Sequence, residues 1–365
     1  MRRSNLAMRY TLLGKTGLRV SEICLGAMGF GEDKGWGSDR SESLAAFRTF
    51  VDAGGNFLDT ANTYTNGTSE QYLGEFVAGS RDRYVLATKY TIGADKSDPN
   101  ASGNHRKNMR NSLEASLRRL KTDYIDLYWL HIWDFLTPEE EVMRSLDDLV
   151  RSGKVLYIGI SDTPAWIVAR SNMMAQLRGW TSFAALQIEY SLIQRTPERE
   201  LLPMAEALDL TVTPWGPMGM GVLSGRFRQG RKPEVPTSRR PIRNGLLSER
   251  TLSIARVVGD VAEECGGSSA QVAINWLRQG GVGRIVPIVG ARTGAQAVDS
   301  LKCLEFALSQ EQMARLDEIS AIELGFPHDF FREPGRELAL GAMADRIDDP
   351  RQRRPGSAVR GYSAP

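Results

Sequence analysis

The 365-residue chain is long enough for two ordinary domains, or for one large α/β barrel of about 250 residues plus insertions. Its 41% hydrophobic and 25% charged residues suit a globular protein with a sizeable core, which excludes disorder of the whole chain. The 46 basic and 44 acidic side chains nearly cancel, so no global field points to nucleic acid or an anionic membrane, and a small neutral or anionic ligand fits better.

The first residues, MRRSNLAMRYTLLGKTG, carry three arginines but lack the apolar stretch of a signal segment, and nowhere is there an uncharged run of about 20 residues. Cys24, Cys265 and Cys303 lie far apart, without the spacing of a disulfide framework or a zinc site. The expectation is a soluble, cytoplasmic protein with reduced thiols. RYTLLGKTGLRV then reads as a hairpin, with Gly14 and Gly17 as turn residues.

From there a repeat begins. Short apolar or β-branched runs occupy residues 22 to 27, 56 to 61, 84 to 89, 124 to 131, 155 to 161, 183 to 190, 210 to 215 and 284 to 290. Helical periodicity fills the stretches between successive runs. In RKNMRNSLEASLRRL the stripe is Met109, Leu113, Leu117 and Leu120. In TPEEEVMRSLDDLVRSGK, Thr137 is expected to cap and Pro138 to open the helix, with Glu140 completing a capping box. Val142, Met143, Leu146, Leu149 and Val150 form its apolar face, and Gly153 ends it.

Strand then helix, eight times over, predicts an α/β fold of the (β/α)8 TIM barrel type, with an N-terminal β-hairpin. An open doubly wound sheet is the rival, but the glycines after the first run, GAMGFGEDKGWG, lack the G-x-G-x-x-G spacing of its nucleotide site. The barrel is expected over residues 9–324. Two segments stand outside the repeat. One is a long loop after strand 7, residues 226 to 246, with seven basic side chains and one acidic. The other is a C-terminal extension, 325–365, partly a disordered tail whose last fifteen or so residues look solvated.

In such a barrel the reactive face lies at the carboxyl ends of the strands. The residues there are polar: Asp59, Lys89, His131, Ser161 with Asp162, Gln187, Trp215 and Gly290, with Tyr64 on the loop after Asp59. His131 alone, inside LYWLHIWDFL, reads more readily as a packed core histidine than as a reactive one, and the polar residues at the neighbouring strand ends reverse that preference. His105 and His328 supply no metal-ligand spacing with it, so no metal is expected.

The motifs GGNFLDTANTYTNGTSEQYLG, LATKY, DYIDLYWLHIWD, GKVLYIGISD, LQIEYSLI, PWGPMGMGVLSG and PIVGARTGAQAVDSL, in this order from about residue 10 to 320, resemble those of the aldo-keto reductase superfamily. The similarity is to the branch with aryl-alcohol-dehydrogenase-like enzymes and potassium-channel β subunits. It implies an NADP(H)-dependent oxidoreductase reducing aldehydes or ketones to alcohols, reversibly, as an alcohol dehydrogenase. Asp59, Tyr64, Lys89 and His131 would form its catalytic tetrad. The chemistry agrees: a phenol of pKa about 10 is a poor acid near neutrality unless a cation such as Lys89, held by Asp59, stabilises its anion. The alternative is a cofactor-binding regulatory or channel-β-like subunit with slow turnover.

The resemblance also implies a cofactor site. Gly26 and Met28, at and just after the first run, would belong to it. Ser161, Asp162 and Gln187 would meet the nicotinamide carboxamide, and Trp215 would stack on the ring. The family commonly has asparagine where this chain has Asp162, a carboxylate that cannot donate when ionised. It more often has tyrosine at the Trp215 position, serine at Gly216 and asparagine at Ser300. Gly216, in the cofactor site, would lack the polar contact of that serine; Pro217, Met218, Gly221, Leu223 and Gly225 would approach the pyrophosphate, with Gly290, Arg292, Gln296, Asp299 and Ser300 at the adenosine end. Arg292 suits a 2′-phosphate, favouring NADPH over NADH. The basic loop 226 to 246 either clasps phosphates or is simply solvated. Phe30, Trp36 and Trp133 are expected to flank a pocket for a small-molecule carbonyl or alcohol substrate. Neither nucleic acid nor membrane is an expected partner, and monomer and homo-oligomer both remain open.

Overall fold

Antiparallel strands β1 (Tyr10–Leu12) and β2 (Arg19–Ser21) form the expected hairpin in the computed structural model, which describes residues 8–93, 95, 97–227, 246–280, 283–332 and 335–347. Gly14 turns it at φ +55°, where a side chain would meet the Ala184 carbonyl oxygen at 2.3 Å. The turn is fastened to strand beginnings: the Gly14 amide donates to Thr211 Oγ1 (2.8 Å) and Arg284 donates to the Gly14 carbonyl (2.8 Å). Leu13 and Val20 are fully buried against Phe57, Val85, Ala185 and Val286, so the hairpin stoppers the amino-terminal end of the barrel.

The eight sequence runs all contain strands, most of them shorter than the run and β5 shifted by one residue: β3 (Cys24–Gly26), β4 (Phe57–Asp59), β5 (Val85–Tyr90), β6 (Ile125–Leu130), β7 (Val155–Ser161), β8 (Ala185–Glu189) and β9 (Thr211–Trp215), with the last run split into β10 (Arg284–Ile285) and β11 (Ile288–Gly290). Each pairs in parallel with the next. The split closes the ring: β10 pairs with β9, β11 pairs with β3, and Pro287, which has no N–H to give, still accepts from the Cys24 amide at 3.0 Å. Every residue of β5 and β6 is buried, as expected for parallel strands covered on both faces. Trp129 in β6 lies opposite Gly159 in β7; a Cβ at 159 would sit 2.3 Å from the indole, so glycine makes room for it.

Outside the strands lie α1 (Arg40–Asp52), α2 (Thr68–Phe76), α3 (Arg106–Leu120), α4 (Glu139–Arg151), α5 (Ala165–Arg178), α6 (Leu201–Ala207), α7 (Glu249–Cys265), α8 (Ser269–Gly280), α9 (Gly294–Leu301) and α10 (Gln310–Ser320). The predicted stripe of α3 is buried throughout. In α4, Val142, Met143 and Leu146 are buried and Leu149 and Val150 half-buried. The expected capping box there is not formed: Thr137 gives its hydroxyl to Asp134 (2.7 Å), Pro138 stands at the cap, and no side chain caps the helix. Asp134 outcompetes the helix terminus because it also binds the backbone amides of Leu136 and Thr137, both at 2.9 Å.

Beyond α10 the chain makes short helical pieces at His328–Arg332, Gly335–Leu340 and Gly341–Arg346. Most of the basic loop and the end of the C-terminal extension lie outside the described residues. Among the described residues no helix is long and apolar enough to cross a membrane, and no cluster of three His, Cys, Asp or Glu side chains is arranged to hold a metal.

Candidate active site

Parallel pairing in step brings Asp59 (end of β4), Lys89 (in β5) and His131 (one residue past β6) to the carboxyl rim. Lys89 is fully buried and Asp59 is 3% exposed. The ammonium donates to Asp59 Oδ2 (2.5 Å) and to the Thr60 carbonyl (2.7 Å), and lies 4.8 Å from the centre of the Tyr64 ring. Gln187 Nε2 reaches across from β8 to Asp59 Oδ1 at 3.1 Å. Burial by itself disfavours the charge on Lys89. Attraction to Asp59, then to Tyr64, and hydrogen bonds to both outweigh it, so the ammonium is held above its ordinary range.

Tyr64 opens a short 3-10 turn, Tyr64–Gly67. Its next three residues, Thr65 (φ 43°), Asn66 (φ 55°) and Gly67 (φ 96°), are all left-handed, a costly conformation for a β-branched threonine. Thr65 is held there by donating to the Phe30 carbonyl (2.5 Å) and accepting from the Ser69 amide (3.1 Å). Arg119 backs Gly67 and is fixed by buried Glu70 (2.6 Å), which also accepts from Thr88 of β5 (2.6 Å). The loop is thereby tied to the strand that carries Lys89. The Tyr64 and His131 rings meet edge to face, with centroids 5.9 Å apart.

The cofactor candidates follow round the same rim. Ser161 and Gln187, 1% and 3% exposed, are paired across β7 and β8. Asp162 is left-handed (φ 40°), its amide donates to the Gln187 carbonyl (3.1 Å), and its carboxylate accepts from Trp215 Nε1 (3.1 Å). After Trp215 the backbone winds through Gly216, Gly219, Met220, Gly221 and Gly225, all at positive φ. Open space faces the missing side chains of Gly216 and Gly221. Pro217 and Leu223 are buried and Met218 is half-buried.

Gly290 pairs with Gly26, next to half-buried Met28. The Arg292 backbone is pinned, its amide by Gln296 Oε1 (2.9 Å) and its carbonyl by Ser38 Oγ (2.6 Å), where Thr293 caps α9. Asp299 turns to α8, accepting from Gln271 (2.8 Å) and Ser268 (3.0 Å), and Ser300 is 5% exposed.

Residues 22–321 match the model of the aldo/keto reductase family. The chain belongs to that family. It is 37% identical to a norsolorinic acid reductase of Aspergillus flavus over 334 residues, 88% of this chain and 83% of that one. It is 38% identical to the norsolorinic acid reductase stcV of Emericella nidulans, over 90% of this chain and 86% of that one. An aryl-alcohol dehydrogenase [NADP(+)] of Phanerodontia chrysosporium is 37% identical over 86% of both chains.

This aldo/keto reductase is an oxidoreductase, and the aromatic side chains expected around its mouth differ in exposure. Phe30 is fully buried and packs edge-on against Phe76 (6.2 Å), and Trp133 is 7% exposed within the core. Trp36 is half-buried, while Ile132 (44%), Phe135 (68%) and Leu136 (88%) stand exposed on the loop that follows His131. Sequence reasoning missed Thr60, whose carbonyl holds Lys89, and Thr65, Thr91 and Asn104, which fasten the loops. The Asn-Gly pair after Thr65 was a legible turn signal; the other three have none.

Proposed function

We propose that this aldo/keto reductase reversibly reduces aromatic aldehydes or ketones to alcohols with NADP(H), Tyr64 giving the proton. The observation that carries the reading is the buried Lys89 ammonium, fixed by Asp59 and Thr60 and set 4.8 Å from the Tyr64 ring. Bound cofactor would supply the hydride. Tyr64 donates its phenolic proton to the substrate oxygen, and Lys89 stabilises the phenolate left behind. Because Lys89 is held above its ordinary range, it keeps that charge at neutral pH. His131, against the edge of Tyr64, orients the same oxygen.

The residues fit a nicotinamide dinucleotide. Ser161, Gln187 and Asp162 offer polar groups beside the Trp215 indole. The glycine turns from Gly216 to Gly225 leave backbone uncovered for a diphosphate, and Arg292 at the start of α9 suits a 2′-phosphate. The relatives named for aryl alcohol and NADP(+) support the aromatic substrate class and the phosphorylated cofactor. The exposed apolar side chains after His131 agree with an aromatic substrate.

Stopped-flow mixing of the NADPH-loaded enzyme with aromatic and aliphatic aldehydes and ketones tests the proposal. The expected result is single-turnover NADPH oxidation, fastest with aryl carbonyls. Tyr64→Phe should slow it by about 10²- to 10⁴-fold, with NADPH affinity changed less than about twofold. Tight binding without oxidation of cofactor by any carbonyl would overturn the enzymatic reading in favour of a regulatory subunit. Undiminished turnover by Tyr64→Phe would remove Tyr64 as the acid.

A further inference from the structure

Thr91 and His131 are the first residues beyond two neighbouring strands, β5 and β6, whose last aligned pair is Tyr90 and Leu130. One step on, the backbone ladder has ended, and a side chain replaces it: the His131 amide donates to Thr91 Oγ1 at 3.3 Å. Thr91 makes this contact from φ +93°, which is strained for a β-branched residue, and it is 4% exposed. Such a conformation persists only where the surroundings over-determine it. Here they do: the Thr91 carbonyl accepts from the Gly103 amide (2.8 Å) and Asn108 Nδ2 (3.3 Å), and its hydroxyl accepts from Asn104 Nδ2 (2.9 Å).

Asn104, with no exposed surface, joins the two loops. Its amide group also donates to the Ile132 carbonyl (3.0 Å), and its Oδ1 accepts from the Asp134 amide (2.8 Å). The Asn104 amide returns to Asp134 Oδ2 at 2.7 Å. His131 is thus bracketed: its own amide is held by Thr91, and the carbonyl of the following residue by Asn104.

We infer that Thr91 and Asn104 form a buried strap that positions the His131 imidazole relative to Lys89 and Tyr64 for reduction of the carbonyl. The inference rests on the proposed role of His131 at the substrate oxygen. The strap acts through His131 and touches neither substrate nor cofactor, so Thr91 and Asn104 are positioning residues. Misplacement of a reacting group by about 1 Å can cost roughly a hundredfold in rate.

The chain has three histidines, so ¹⁵N-histidine labelling gives three backbone amide signals, and the one lost in His131→Gln belongs to His131. Thr91→Val keeps the shape and removes the hydroxyl, whereas Thr91→Ser keeps the hydroxyl. The expected result for Thr91→Val is a shifted His131 amide resonance and hydride transfer slowed by about ten- to a hundredfold, with NADPH affinity unchanged. Thr91→Ser should stay near wild type in all three. Asn104→Ala, measured the same way, gives the second reading should Thr91→Val not fold, and the same signature is expected.

Wild-type hydride transfer in a folded Thr91→Val or Asn104→Ala enzyme would overturn the strap. So would slowed transfer with an unmoved His131 resonance. His131→Ala with full turnover would instead overturn the role of His131 itself, whatever the resonances do.

Discussion

The Trp215 indole donates to the Asp162 carboxylate at 3.1 Å, joining the ends of β9 and β7 across the rim. Both residues depart from what the family commonly has, asparagine and tyrosine, and each supplies what the other needs: an acceptor for the indole N–H and a donor for the carboxylate. Asparagine at 162 would keep an acceptor for Trp215 and add the donor that a carboxamide carbonyl requires. Asp162→Asn is therefore expected to bind NADP(H) about three- to tenfold more tightly, the value of one net hydrogen bond. Titration of cofactor against protein fluorescence measures this, and an unchanged or weaker affinity would mean that the carboxylate is already matched to its ligand.

Removing the Lys89 charge leaves Asp59 buried without its cation. Lys89→Met is expected to cost about 3–5 kcal/mol of stability at neutral pH and to abolish turnover. The dependence on alkali follows from the raised value of Lys89. Its folded value lies above the ordinary 10.5, so the stabilisation is complete below about 10.5 and fades as the pH climbs through the folded value. Urea unfolding of wild type and variant from pH 8 to 11.5 should show a constant gap that narrows only at the alkaline end. A gap that narrows on going toward acid would contradict the assignment.

The proposed preference for NADPH is assigned to Arg292. Arg292→Ala is expected to weaken NADPH binding by about tenfold to a hundredfold and NADH binding by about twofold or less, the difference being charge-assisted bonds to the 2′-phosphate. Equal losses for the two cofactors would sink that role.

Two of the three thiols are expected to be inert in the folded enzyme. Cys24 and Cys303 are fully buried. Burial, reinforced by Asp59 and opposed by Lys89, pushes Cys24 well above its ordinary value, and burial above all raises Cys303 to about 12. The thiolate is the reactive form, so Ellman's reagent at pH 8 should find at most one thiol, half-buried Cys265, in the native protein and three after denaturation. Native Cys265→Ser should then release no chromophore; release would mean that Cys24 or Cys303 opens to solvent.

The barrel was legible because its strands are buried on both faces and alternate with helices whose stripes, such as Met109, Leu113, Leu117 and Leu120, keep a helical period. The rim residues followed from strand order and motif resemblance, since a strand's last residue is a position that a sequence can mark. Loop geometry was not legible to the same degree. Thr91 is β-branched with no turn signal beside it, and at Thr65 the following Asn-Gly marks a turn but not a left-handed threonine; partners such as Asn104 and Phe30 impose both conformations from a distance. Phe30 and Trp133, expected beside a substrate pocket, are buried, and an aromatic on a loop does not declare from sequence how much of it packs inward. Thr137 was read as a cap, but Asp134, three residues earlier, claims its hydroxyl.

The N-terminal hairpin bears on chemistry far from it in space. Leu13 and Val20 lie in the same apolar cluster as Cys24 and Trp129, which fills the barrel beneath the buried Lys89 and Asp59. Lys89 and Asp59 have almost no exposed surface, and in such surroundings one ammonium would act strongly on one phenol. The barrel is a vessel with a floor, and residues that never meet a substrate set how strongly Lys89 is felt at the mouth.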